Sequence, residues 1–159
     1  MKIEFSESQK FRQWWLWFLM FSVALVPLYG AYSQLILGKP FGTNPMTDNQ
    51  LLILTFAVFG VIYLLYSSDL RTEIDKNEIR MHYFPVYKRT IQWSEVDHAE
   101  VKNYGYVGGW GIRLWTRHGT VYNVRGNEGL AIRLKSGKRL VIGTQKAEEL
   151  KRAIHNIRS

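Results

Sequence analysis

Hydrophobic and polar residues along this chain are segregated first and alternate later. Between Arg12 and Lys39 no residue is charged, and none is charged between Asp48 and Asp69. The first stretch, Trp14 to Leu37 (WWLWFLMFSVALVPLYGAYSQLIL), reaches roughly 36 Å as a helix, enough to cross about 30 Å of hydrocarbon with some tilt. The second, about residues 50–68 around an apolar heart from Leu51 to Tyr66, reaches about 30 Å. Neither stretch has the polar face of a helix that packs on a soluble core, and the first is longer than a signal-peptide core. The pattern predicts two transmembrane helices. Trp14, Trp15 and Trp17 lie where the first stretch would enter an interface, and Tyr63 and Tyr66 mark the far interface of the second. Pro27 predicts a kink, and Ala57 and Gly60 offer a small surface for close approach of the first helix. The connector GKPFGTNPMTDN is rich in turn formers.

From Asp69 onward the period falls to two. Seven segments read as half-buried antiparallel strands: Glu78 to Phe84, Tyr87 to Trp93, Val96 to Tyr104, Gly111 to Arg117, Thr120 to Val124, Leu130 to Lys135 and Arg139 to Gly143. In the fourth, Ile112 and Leu114 alternate against Arg113, Trp115 and Arg117. Turn formers separate the segments, among them Asp75-Lys76-Asn77 and Ser136-Gly137-Lys138. The period then returns to helical. Thr144 is placed to cap, Ala147, Leu150, Ile154 and Ile157 form an apolar stripe, and Glu148 and Glu149 precede Lys151, Arg152 and Arg158 along the dipole. Strands without crossover helices make a sandwich or partly open barrel, and the last helix is expected to plug its open end. The expected division is a membrane anchor over residues 1–68 and a β domain over 69–159.

Charge gives this division a direction. The net charge is +8, and residues 69–159 hold 17 Lys+Arg against 10 Asp+Glu. Three basic residues (Lys2, Lys10, Arg12) precede the first stretch, and Arg71, Lys76, Arg80, Lys88 and Arg89 follow the second. The connector has Lys39 alone. The positive-inside rule then places both termini in the cytoplasm, at an inner membrane. The chain has no cysteine, which removes disulfides, thiolate nucleophiles and zinc–thiolate sites from consideration.

The run YNVRGNEGLAIRLKSGKRLVIGTQKAEELKRAI (Tyr122 to Ile154) resembles the closing half of bacterial pleckstrin-homology-like (PH-like) domains, in which a hairpin ends in an IGT-type turn and leads into the capping helix. TIQWSEVDHAEV (Thr90 to Val101) resembles their I-x-W-x-E-I strand, and GGWGIR (Gly108 to Arg113) is similar to a run in membrane-anchored members. The resemblance implies an α+β membrane protein: a two-helix hairpin, then a PH-like fold of about seven antiparallel strands capped by a helix.

No grouping of side chains predicts catalysis, a cofactor or a metal. His82, His98, His118 and His155 have no ligand spacing. Glu95 and Asp97 share a strand face without further sign of acid–base work. The glycine-rich run from Gly105 to Gly111 lacks the helix that a phosphate loop leads into, and is expected to display Tyr104, Tyr106 and Trp110 toward a membrane or to pack back on the domain. Basic residues remain as contact candidates for anionic lipid headgroups or a protein: Arg80, Lys88 and Arg89 around Phe84-Pro85-Val86, then Trp110, Arg113 and Arg117. No nucleic-acid motif is present. The expectation is a membrane-anchored, non-catalytic binding or scaffolding module. Its partners would be the lipid bilayer, another membrane protein or a second copy of itself. The competing expectation is an accessory subunit of a membrane enzyme or transporter.

Overall fold

A computed structural model of the chain describes residues 3–158; Lys2, counted above in the N-terminal charge, lies outside them. The chain forms two compact units, one of residues 12–67 and one of residues 1–11 with 68–159.

The first unit is a helical pair. Helix α1 (Trp14–Ala31) continues as a π-helical turn (Tyr32–Ile36), and α2 spans Asp48–Ser67. Both are long and apolar enough to cross a membrane. Their large side chains point mostly away from protein, as with Phe18 (70% exposed) and Phe56 (74%). The buried positions are Ala24, Pro27 and Gly30 on α1 and Leu51 on α2. The Thr55 hydroxyl donates to its own helix at Leu51 O (2.8 Å) and lies 3.4 Å from Pro27 O. The surface expected at Gly60 is not used, since a Cβ there would meet open space. The close approach is at Gly30, against the ring of Phe41 from the connector.

Among the described residues the second unit has nine strands where the hydrophobic pattern predicts seven. Strands β1 (Ile3–Lys10), β2 (Asp69–Asp75), β3 (Glu78–Phe84) and β4 (Tyr87–Gln92) form one antiparallel sheet in that order. Strands β5 (Val96–Asn103), β6 (Gly111–Thr116), β7 (Gly119–Asn123), β8 (Glu128–Leu134) and β9 (Arg139–Gly143) form the other, in the order β5-β8-β9-β7-β6. Two corrections follow. The N-terminal segment, expected within the anchor, is a strand of this unit and not part of the helical pair, with Lys10 paired to Asp69 across β1 and β2. The second sheet is not purely antiparallel, because β7 runs parallel to β9.

Set β6 and β7 aside, and the rest is a simple succession: four strands, then β5, β8 and β9, then helix α3 (Ala147–Arg158). The β6–β7 hairpin is an insertion between neighbouring strands that attaches to the free side of β9. The core is built from the facing rows of the two sheets, with Leu70, Ile74, Ile79, Met81 and Ile91 from the first and Leu130, Ile132, Leu140 and Ile142 from the second. Helix α3 closes it with Leu150 and packs on β5, β1 and β8.

The start of α3 explains why β1 belongs here. The buried Glu7 carboxylate accepts from the Thr144 hydroxyl (2.6 Å) and from the Gln145 N–H (2.8 Å), while Gln9 donates its amide to Gly143 O (2.7 Å). Thr144 does not cap the first helical turn itself; its hydroxyl accepts from Lys146 N–H (3.0 Å), one residue ahead of Ala147. A carboxylate at the start of a helix satisfies free N–H groups and the dipole together.

Candidate functional site: a basic cleft on the second sheet

The six sequence candidates do not gather into one surface. Arg80 is on the outer face of the first sheet and is enclosed by carboxylates: Asp75 at 3.3 Å, Glu73 at 3.4 Å and Glu78 at 3.5 Å. Asp75 in turn accepts from Asn77 N–H (2.8 Å) and Glu78 N–H (3.0 Å). The Asn77 bond chiefly, with Glu78 and Arg80, keeps the Asp75 carboxyl below its ordinary pKa against the cost of its burial. Arg80 is thus a brace for the β2–β3 turn. Lys88, exposed, shares this outer face opposite His82.

Arg89 and Arg113 go to a tyrosine cluster between the sheets. Tyr87 stacks on Tyr122 with ring centres 5.4 Å apart. Burial, then Tyr87, pushes the Tyr122 phenol up to about 12, with Arg89 opposing. Burial likewise lifts Tyr83 to about 12, with Arg113 opposing. These two arginines serve the interior edge of the sandwich.

The glycine-rich run folds back on the outer face of the second sheet. Tyr104, expected to be displayed, is 1% exposed and packs with Val121 and Val141, joined by Val107 and Ala131. Its hydroxyl accepts from the Asn123 amide at 3.0 Å. Tyr106 remains exposed, and Trp110 is at the margin of exposure. In β6 the expected alternation breaks after Arg113, where the pairing with β7 shifts. Leu114, expected inside, is 53% exposed, and Trp115 stands out at 94%. Trp115 has a positive φ of 54°, a conformation that costs a non-glycine residue roughly 1–2 kcal/mol. Almost none of its indole is covered by protein, so Trp115→Gly is expected to stabilise the protein by about 1 kcal/mol. A fall in the thermal midpoint of the variant would show that Trp115 has a packing role after all.

Arg117, the last candidate, leads to a feature that strand alternation alone did not reveal. It adjoins a cleft of about 250 Å³ on the outer face of the second sheet, shared with His98, Glu100, Lys102, His118, Arg133 and Arg139. Three strands supply its floor. His98 on β5 is paired with Arg133 on β8, and Arg133 is paired directly with Arg139 on β9. The turn between β6 and β7 supplies the wall. There the Arg117 guanidinium donates to Tyr104 O (3.3 Å), and His118 Nε2 lies 3.0 Å from both Arg117 Nε and Tyr104 O. The imidazole can satisfy one of these at a time, according to its tautomer. Lys102 is paired with Glu100 (2.6 Å) and Arg133 with Asp97 (2.6 Å). Lys102 likewise holds the Glu100 carboxyl below its ordinary pKa, first by its hydrogen bond. The signal in the sequence was present as His98, Glu100 and Lys102 at alternate positions, but their meeting with Arg133 and Arg139 depends on register.

Among the described residues no group of three His, Asp or Glu gathers as a metal site. A model of a family of unknown function, DUF6141, matches residues 2–159. The chain belongs to the DUF6141 family. The DUF6141 match takes in β1, both apolar helices and the whole β unit. Comparison with curated proteins and with solved structures finds no match.

Proposed function

We propose that this protein is a membrane-anchored binding module: its helical pair crosses a bacterial inner membrane, and its β unit, a PH-like domain, works at the cytoplasmic face. The observation that carries the reading is the pairing of Lys10 with Asp69. The chain leaves the sheet at the end of β1 and returns at the start of β2, its nearest neighbour. Two crossings return it to the side it left, which suits adjacent strands, whereas a single crossing would part them. The connections are short, Phe11 to Gln13 on one side and Ser68 on the other, so a bilayer that takes the helices keeps the β unit at its surface. Seven strands followed by a helix support the PH-like reading once the β6–β7 hairpin is counted as an insertion. Residues 1–11 add two basic and two acidic residues to the unit, so its excess of +7 stands. That excess suits the anionic inner leaflet, where each well-placed Lys or Arg contributes about 1 kcal/mol.

Because the chain lacks cysteine, single substitutions can report its orientation. Thr43→Cys, between the helices, is expected to react with a membrane-impermeant maleimide in intact spheroplasts. Ser136→Cys, between β8 and β9, is expected to react only after lysis. The reverse pattern would overturn the orientation, and release of the protein by alkaline carbonate would overturn the anchor.

A further inference from the structure

We propose that the cleft on the outer face of the second sheet binds a compact phosphate-bearing anion, held by Arg133 and Arg139 on the floor and Arg117 on the wall. The proposal deepens the binding-module reading by naming a ligand class for this surface.

The arrangement of charge is the first reason. Like charges directly opposite on neighbouring strands destabilise a sheet, yet Arg133 and Arg139 are such a pair, with His98 next in the row. One acid on a bulge, Asp97, reaches Arg133 from the point where the β5–β8 register shifts. Among the described residues neither Arg139 nor Arg117 has an acidic partner. Lys102 adds a fourth cation, against Glu100 as the lining carboxylate. A charge excess of this size, concentrated in about 250 Å³, suits an anion carrying more than one negative charge.

The second reason is pre-organisation. Arg117 is not a loose surface side chain, because Tyr104 O and His118 fix two of its nitrogens. Tyr104 is itself anchored in the small core of Val121 and Val141. Gly119 then seats the turn against β9, where a Cβ would collide with Arg139 O. The inserted hairpin thereby holds Arg117 beside the Arg133–Arg139 pair. Guanidinium forks match the paired oxygens of a phosphate, and the apolar floor of Ala131 and Val141 leaves room for a small group and not for a chain. A soluble metabolite and a lipid headgroup both offer such a phosphate, and the recognising chemistry is the same.

The test uses the full chain in neutral detergent, with inorganic pyrophosphate titrated calorimetrically at low ionic strength. Saturable binding is expected, and Arg133→Gln/Arg139→Gln should weaken it at least tenfold. The equal charge change in Lys76→Gln/Arg152→Gln, away from the cleft, should alter it less than twofold. Both replaced arginines of the first pair point outward, so that variant is expected to melt at or above the wild-type temperature. In a parallel arm, native mass spectrometry compares retention of phosphatidylglycerol with that of phosphatidylcholine. Phosphatidylglycerol retention lost in Arg133→Gln/Arg139→Gln identifies a headgroup as the source, and pyrophosphate binding alone identifies a soluble phosphate. Absence of both, or equal weakening by the two double variants, would overturn the proposal. The detergent measurement does not depend on orientation: pyrophosphate binding with a reversed maleimide pattern removes the orientation and keeps the cleft, pyrophosphate binding with release by alkaline carbonate removes the anchor and keeps the cleft, and the converse of either removes only the cleft.

Discussion

Replacing residues 12–67 by Asn-Gly is expected to yield a folded, soluble β unit, whereas residues 68–159 alone are expected not to fold. The first half of this outcome follows from register. Lys10 is opposite Asp69, so Phe11 and Ser68 are the next positions outward, and two residues of Asn-Gly suit a tight turn that joins adjacent antiparallel strands. The second half follows from what β1 supplies. Its loss removes the buried Phe5, a deletion of a size that costs about 3–5 kcal/mol. It also strips Thr144 and Gln145 of the Glu7 carboxylate and Gly143 of the Gln9 amide, at about 1–3 kcal/mol for each buried group left unpaired. Together these rival the whole stability of a domain, about 5–15 kcal/mol. Circular dichroism and amide exchange on the two proteins check the outcome. A cooperative melt from residues 68–159 alone would show β1 to be an accessory strand.

Why β1 escapes the hydrophobic pattern is instructive. A strand is recognised by apolar residues at alternate positions, and β1 does have an inward row, Phe5, Glu7 and Gln9. Two of the three are polar because they face the junction of β9 with α3, whose exposed N–H and C=O groups need partners. The requirement is set by a segment well over a hundred positions away, so no local window contains it. Strand β2 is a milder case. Leu70, Thr72 and Ile74 alternate inward, but acidic ends and a central threonine weaken the pattern beside its stronger neighbour β3. The strands β3, β4, β5, β8 and β9 and helix α3 were legible because their inward rows are largely apolar and face one core. The apolar helices were legible for the opposite reason: they have almost no inward row, and their composition alone sets them apart.

The candidate site shows a different limit. Sequence spacing places Arg113, Trp115 and Arg117 together on one face of β6, and a bulge separates them. Arg113 goes toward Tyr83, Trp115 into solvent at a positive φ, and Arg117 to Tyr104 O. The cleft instead collects residues from β5, β8, β9 and the β6–β7 turn, and that set is fixed by a parallel pairing, β7 on β9, which a reading of successive hairpins does not anticipate.

Gly119→Ala is the substitution that puts this pairing to the test, with an expected loss of about 3 kcal/mol. Gly119 has a φ of +83°, and its Cα faces Arg139 O so closely that a Cβ has nowhere to go but into backbone. The left-handed conformation accounts for roughly 1–2 kcal/mol, and the overlap with a carbonyl that belongs to a paired strand for about as much again. The damage should be local. Thr120 pairs with Leu140 immediately beyond the clash, and the Thr116 hydroxyl that donates to Gly119 O (2.7 Å) closes the turn, so β7 should detach from β9 at that end first. Amide exchange is then expected to speed up in β6, β7 and the glycine-rich run packed over them, while β1 to β4 and α3 keep their protection. Pyrophosphate binding should fall with it, since Arg117 loses its seat beside Arg139. Uniform acceleration across both sheets would mean that the hairpin is continuous with the core in energy as well as in hydrogen bonding. Acceleration confined to the hairpin would mark it as a separable addition to a seven-strand unit, one that gives this fold its cleft without being needed for its folding.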